Sequence, residues 1–122
     1  MDLILTFEGL TNENMSTLET AMTEIDQLTY EKSSSSGFQG SDELLYFISI
    51  AAGTVTIIQG LASLIAKLLS KNKNVKIIEI RDDQDGKIAT ELLYLIAYYV
   101  HELTNEHRQI SEIETGKFSK SE

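Results

Sequence analysis

The feature that most limits what this chain can fold into is an uncharged stretch in its middle. Residues Leu44 to Ala66 carry no charged side chain, and after Lys67 two more leucines follow, up to Leu69. This stretch of 23 residues is long enough to cross a bilayer, for which about 20 apolar residues suffice. With Ser41 as its N-cap, it predicts one long apolar central helix over Ser41 to Ser70.

Two interpretations of this helix are open: a membrane span and a helix buried within protein. Acidic residues precede it and lysines follow it, which would place its C-terminal end inside a cell. Two glycines and Gln59 weaken the case for a span, and the segments on both sides pattern as strands that need each other. As one helix it would measure about 45 Å, more than the roughly 35 Å diameter of a compact domain. We therefore expect it to break near Gly53, to pack against other copies, or to cross a bilayer.

One face of the predicted central helix is small or polar throughout. Small residues let another backbone approach closely, both in membranes and in tightly packed soluble cores. The last predicted helix adds apolar surface, because it is apolar or aromatic all round. We predict that both helices contact a partner. The predicted partner-binding residues are Ser49, Gly53, Thr56, Gly60, Ser63, Tyr98 and Tyr99.

The segments before the central helix predict a strand and a surface helix. Leu3 to Gly9 alternates as a strand. An amphipathic helix follows over roughly Asn14 to Tyr30, with Asn12 or Asn14 as its cap. The serine-rich segment 33–41 predicts a flexible linker.

The segments after it predict a hairpin and a second apolar helix. Asn74 to Arg81 patterns as a strand, and Asp85-Gly86 predicts the turn to a short returning strand at 87–89. An apolar helix begins at Thr90. The order β-α-α-β-β-α predicts an α+β fold, a small sheet with helices packed on it. We expect a single domain over 1–108 and a disordered polar tail over 109–122.

Composition excludes some functions and favours none strongly. The net charge is −9, which argues against nucleic acid as a partner because phosphate binding needs a basic face. The absence of cysteine excludes disulfides and thiolate chemistry. Acidity is compatible with a basic protein partner.

Two motifs that suggest metal sites fail on spacing. In "HELTNEH" a zinc motif needs a second histidine where Asn105 stands. In "RDDQDG" a calcium loop would start at Arg81 and place Leu92 where a glutamate is required. Asp82, Asp83 and Asp85 form a carboxylate cluster without support for catalysis. We therefore expect no catalytic residues, no metal, no cofactor and no enzymatic activity.

The segment "ISIAAGTVTIIQGLASLIAKLLSKNKNVKIIEIRDDQDGKI", about residues 48–88, resembles a prokaryotic family, the effector-associated constant component. Its members are similar in their Ala/Gly-rich apolar helix ending in basic residues, followed by a strand and an Asp-Gly turn. The resemblance implies a non-enzymatic module that acts beside effectors in bacterial conflict and signalling systems. The serine segment and the short distance from Gly86 to the last helix depart from the family's pattern.

Three functional hypotheses follow. The first is a cytoplasmic interaction or adaptor module that self-associates as a homo-oligomer or docks a protein effector in a prokaryotic defence or signalling system. The second is a small single-span protein of the inner membrane, pore-forming or holin-like. The third is an acidic inhibitor or antitoxin that covers a basic partner.

Overall fold

The computed structural model describes residues 1–36, 42–105 and 113–118. The described residues form five strands and three helices. In chain order these elements are β1 (Asp2–Glu8), α1 (Asn12–Thr23), β2 (Leu28–Ser36), β3 (Asp42–Ile50), α2 (Thr54–Lys71), β4 (Lys76–Asp82), α3 (Lys87–Thr104) and β5 (Glu114–Lys117).

The strands form one mixed sheet in the order β2-β3-β1-β4-β5. β3 is antiparallel to β1 and β2, β4 is antiparallel to β1, and β5 is parallel to β4. The first six elements therefore interleave two β-α-β units, which is the ferredoxin-like connectivity. After α3, strand β5 extends the sheet at the β4 edge. The predicted α+β class, with helices packed on a small sheet, is confirmed.

The three helices lie on one side of the sheet. The β1 and β3 residues on this side are fully buried and belong to the same core as α1, α2 and α3. The Tyr46 hydroxyl of β3 donates to the Glu19 carboxylate of α1 at 2.7 Å. On the β4 side of the sheet, the Ala89 N–H of α3 donates to the buried Asp82 carboxylate of β4 at 2.6 Å. α2 lies between α1 and α3 and contacts both.

The other side of the sheet is covered by no helix among the described residues. We call it the open face. It consists of the strand residues that alternate with the core residues, because successive side chains of a strand point to opposite sides. In β1 and β3 the core residues are Leu3, Leu5, Phe7, Leu44, Tyr46, Ile48 and Ile50.

The prediction that one helix spans Ser41 to Ser70 was wrong. Asp42–Ile50 is strand β3, and helix α2 begins only at Thr54, after Gly53 in a left-handed conformation. β3 has apolar residues on both faces, so its sequence "LLYFISI" is a continuous apolar run in which strand and helix periods cannot be distinguished. The expected break near Gly53 is therefore a change from strand to helix.

Three predictions for the segments before β3 were also wrong. α1 ends at Thr23, because Leu28 to Tyr30 pairs with β3 as the start of β2. Thr11 is its N-cap and forms reciprocal bonds with Asn14, which replaces the predicted cap. Ser33–Ser36 belong to β2, where pairing with β3 overrides the flexible composition. Residues 37–41 of the predicted linker lie outside the described residues.

The predicted returning strand at 87–89 is the first turn of α3. Asp82 at the end of β4 accepts hydrogen bonds from the backbone N–H groups of Gln84, Gly86 and Ala89, which starts a helix there. In the predicted tail, Glu114–Lys117 form β5 beside β4, and Lys117 pairs with Asp85 at 3.0 Å. Residues 106–112 and 119–122 lie outside the described part of the chain.

Candidate functional site

Apolar side chains meet at the centre of the open face. Ile4 of β1 lies directly opposite Phe47 of β3, and Thr6 lies opposite Leu45 in the next row. These two rows cross four strands. In the order β2, β3, β1, β4, the first row is Glu31, Phe47, Ile4 and Arg81, and the second is Ser33, Leu45, Thr6 and Glu79.

The exposure of these residues defines a shallow apolar surface. The Phe47 side chain is 42 % exposed, and Ile4 and Leu45 are half-buried. Thr6 is only 6 % exposed although no described helix covers it. Leu45 lies directly opposite Thr6, and Ile4 and Phe47 form the neighbouring row. An apolar centre rimmed by polar groups is typical of an interaction site.

Carboxylates dominate the border of the open face. The acidic residues on it are Asp2, Glu8, Glu31, Glu43, Glu79 and Glu114, and the basic residues are Lys76 and Arg81. Glu79 pairs with Arg81 at 2.9 Å. Within the described chain, Glu8, Glu31 and Glu43 form no side-chain ion pair. The open face therefore carries an excess of negative charge around its apolar centre.

The predicted partner-binding residues do not form one helical stripe. Ser49 lies on β3, exposed on the open face, and pairs with Asp2 and Thr29. Gly53 caps α2 with a φ of +69°, and its place there is explained by that left-handed conformation. Thr56 is exposed near the start of α2. The structure separates these residues because the predicted helix begins as a strand.

Gly60 and Ser63 lie together in a groove of about 810 Å³ between α1 and α2. A Cβ atom added at Gly60 would have no described neighbour within 4 Å. No described backbone therefore uses the space that this glycine leaves. The walls carry balanced charge: Glu13 lies on α1 and Glu24 is its C-cap, and Lys67 and Lys71 lie on α2.

Tyr98 and Tyr99 lie on α3, apart from the groove. Tyr98 is 58 % exposed and Tyr94 is exposed as well, whereas Tyr99 is half-buried against the core. Their rings make an edge-to-face contact at 5.6 Å. The seven predicted residues therefore fall on three surfaces: the open face, the α1–α2 side, and α3.

A polar cluster beneath α1 was not predicted from the sequence. The Glu19 carboxylate accepts hydrogen bonds from Tyr46 at 2.7 Å, from Lys32 at 2.9 Å and from Tyr30 at 3.2 Å. Burial alone would raise the pKa of Glu19, but these bonds outweigh it and the pKa lies below its ordinary value. Burial, and then Glu19 itself, raise the pKa of Tyr46. The cluster fastens α1 to the sheet.

The three aspartates near the Asp-Gly turn have separate structural roles. Asp82 is fully buried and satisfies three N–H groups at the start of α3. Asp83 accepts from the Asp2 N–H at 3.1 Å, and Asp85 pairs with Lys117. Over the described ranges, no group of three His, Cys, Asp or Glu side chains is placed to hold a metal ion.

The open-face centre at Ile4, Leu45 and Phe47 was missed as a site by sequence reasoning. Its signal was present as apolar residues on the second face of strands β1 and β3. A strand with one solvated face normally alternates apolar and polar residues. Leu45 and Phe47 fall within the segment that the sequence predicts as a helix, and Ile4 is the apolar residue on the second face of β1.

α2 keeps one property of a membrane span. Among the described residues, Thr54–Lys71 is the one helix long and apolar enough to cross a bilayer, with a mean hydropathy of 1.2. In the fold, 44 % of this helix is buried against protein. Core helices of globular domains share this composition.

Comparisons of the chain with protein-family models, with curated proteins and with solved structures find no match. The resemblance to the effector-associated constant component therefore stays a prediction.

Proposed function

We propose that this chain is a non-enzymatic interaction module that binds another protein on its open face. The observation that carries the proposal is the apolar centre there, where Phe47 is exposed, Leu45 and Ile4 are half-buried, and no described helix covers them. In a two-layer domain this side of the sheet normally meets solvent and is polar. These three apolar residues lie outside the core, so a binding role explains them.

An adaptor role beside an effector, in a prokaryotic defence or signalling system, agrees with this proposal and rests on the resemblance alone. A cytoplasmic location follows from such a role. The carboxylate excess keeps the third hypothesis as a second candidate, an acidic inhibitor of a basic partner. The two differ in whether binding blocks the partner's own activity.

The fold favours a soluble module over a single-span protein. The strands that flank α2, β3 and β4, both pair with β1. A helix that crossed a bilayer would separate these strands on opposite sides and break the sheet. Eight residues of α2, including Leu61 and Ile65, are buried against the rest of the chain.

Self-association through the helices loses part of its original basis. It was expected because two long apolar helices exceed what a small sheet can cover. The first part of the predicted central helix is strand β3, and α2 and α3 pack on each other and on the sheet. The groove at Gly60 has balanced charge and gives no indication of its occupant. The open face is therefore the better candidate for the surface that binds a partner protein.

Site-specific photocrosslinking in the host cell tests the proposal. A photoreactive phenylalanine analogue replaces Phe47, and in a control it replaces Leu103, which is 52 % exposed on α3. We expect a discrete protein adduct from position 47 and none from position 103. The identified partner is then purified, and its affinity for the wild type and for Leu45→Ser is measured.

Loss of a buried leucine contact predicts about tenfold or weaker binding by Leu45→Ser. A Leu103→Ser control should bind as the wild type does. Equal affinities of Leu45→Ser and wild type would contradict the proposal, as would an adduct only at position 103.

A further inference from the structure

We infer that the occupant of the open face is a protein surface with an apolar centre and a lysine- or arginine-rich border, and that the carboxylates of this face exclude a second copy of the chain. The inference rests on the proposed function, and it adds the chemistry of the partner. It is carried by the register of charges on the sheet.

Like charges lie directly opposite each other at two places on the open face. Glu8 pairs in register with Glu43, and Glu79 pairs with Glu114. Like charges directly opposite on neighbouring strands destabilise a sheet. Arg81 offsets the second pair through its contact with Glu79, and Lys76 lies beside Glu8 in register.

The border nearest the apolar centre is acidic on the β2 and β3 side. Glu31 lies directly beside Phe47, and Glu43 is the next open-face residue of β3 after Leu45. Neither carboxylate forms an ion pair with any described residue. A partner whose cations meet Glu31 and Glu43 would bury Phe47 and Leu45 while relieving the repulsion around them.

A second copy fits this face poorly. Two copies placed face to face would bring six carboxylates against six, with two cations on each side. Like-charge juxtaposition opposes such pairing and selects against it. Phosphates of a nucleic acid would meet the same repulsion. The charge pattern therefore favours a cationic protein surface over both.

The first test measures binding of a synthetic peptide in which leucine and lysine alternate, by fluorescence anisotropy at low and high salt. The probes for comparison are a leucine–glutamate peptide and a single-stranded oligonucleotide. We expect the leucine–lysine peptide alone to bind, with affinity that falls as salt rises. Binding of either anionic probe at this face would overturn the inference.

Variants locate the binding. Phe47→Ser and the double variant Glu31→Gln/Glu43→Gln should each weaken the leucine–lysine peptide about tenfold or more. The matched control, Glu91→Gln/Glu102→Gln, removes the same charge from exposed positions of α3 and should leave affinity unchanged. Circular dichroism confirms that each variant is folded. Equal weakening by both double variants would mean that only net charge matters, and would overturn the inference.

The second test asks what keeps copies apart, using sedimentation velocity. The wild type should not associate through this face. The triple variant Glu8→Gln/Glu31→Gln/Glu43→Gln should self-associate, and adding Phe47→Ser to the triple variant should abolish that association. A wild-type dimer that Phe47→Ser dissociates would overturn the inference while supporting the open face as a binding surface. A triple variant that stays monomeric would overturn the role given to the carboxylates.

The two proposals fail in different ways. If Phe47→Ser weakens binding of the leucine–lysine peptide and the glutamate variants do not, the open face is a binding surface, but the inferred cationic border of the partner is wrong. If neither change affects binding, the inference is overturned, and the adduct at position 47 decides the proposed function separately.

Discussion

Phe7 and Phe47 are both phenylalanines, and they lie on opposite sides of one sheet. Phe7 of β1 is fully buried beneath the helices and contacts the ring of Tyr46 edge to face at 5.9 Å. Phe47 of the neighbouring strand β3 is 42 % exposed on the open face. One ring lies in the core of the domain, whereas the other contributes little to it.

The comparison separates residues kept for stability from residues kept for another reason. On the covered side, every second residue of β1 and β3 from Leu3 to Phe7 and from Leu44 to Ile50 belongs to the core. On the open face, Ile4, Leu45 and Phe47 do not belong to the core, yet they are as apolar as residues that do. Selection for folding alone would permit threonine, serine or lysine at these positions.

The largest expected effect tests the comparison directly with matched truncations. Phe7→Ala should destabilise the fold by about 3–5 kcal/mol, because it leaves a cavity in the core. Phe47→Ala should cost less than about 1 kcal/mol, since much of its ring already meets solvent. Urea unfolding followed by circular dichroism measures both. Similar losses for the two variants would mean that the open face is covered in the folded chain.

The second prediction concerns the buried carboxylate at the end of β4. Asp82→Ala removes the acceptor of three backbone N–H groups and should destabilise the fold by about 3 kcal/mol. Asp85→Asn breaks an exposed ion pair three residues away while keeping a residue type that tolerates the φ of 61° there, and it should cost less than about 1 kcal/mol. The midpoints of thermal unfolding compare the two variants. An Asp82→Ala variant as stable as Asp85→Asn would contradict the role of Asp82 in starting α3.

The third prediction concerns pH and the cluster beneath α1. The pKa of Glu19 in the folded chain lies below its ordinary value of 4.5. Its stabilising effect is therefore fully present above the unfolded pKa and is lost as the pH falls through the folded pKa. Glu19→Gln should be less stable than the wild type by about 1 kcal/mol at neutral pH.

Urea midpoints measured at neutral pH and at a series of pH values below 4.5 test this sign. The difference between wild type and Glu19→Gln should shrink as the pH falls. A difference that grows with acidity would show that Glu19 is not held as a carboxylate by Tyr46, Lys32 and Tyr30.

The smallest effect concerns Gly60 in the α1–α2 groove. Gly60→Ala should stabilise the chain by about 0.5–1 kcal/mol, because glycine is unfavourable within a helix and the added methyl group meets open space. Gly9→Ala is the opposite control, because its φ is +84° and its Cβ would collide with the Asn74 carbonyl. Thermal unfolding measures both. If the wild type self-associates in sedimentation velocity and Gly60→Ala weakens that association, the α1–α2 groove is the interface between copies.

Sequence reasoning predicted the α+β class. It also placed β1 and β4 correctly, together with the part of the predicted central helix that is α2. It failed where long-range pairing decides the local structure. Leu28 to Ser36 became a strand only because β3 lies beside it, and β5 depends on β4. Asp82 redirects the chain into α3 through bonds that no local pattern indicates.

The failure at β3 and the missed site have the same cause. Leu45 and Phe47 fill the second face of the strand with apolar residues, so the alternation that identifies a strand was absent. In a continuous helix Ser49, Gly53 and Thr56 would share one face, as the sequence analysis predicts. The residues that misled the secondary-structure prediction are the centre of the candidate binding surface.

The central claim is that the open face, and not the helix side, binds the partner. Nuclear magnetic resonance of the isotope-labelled chain, titrated with the leucine–lysine peptide, tests it most directly. We expect the resonances of Ile4, Leu45 and Phe47 to shift most, with those of Gly60 and Ser63 unchanged. Shifts concentrated at Gly60, Ser63 and Lys67 would contradict the claim and assign binding to the α1–α2 groove.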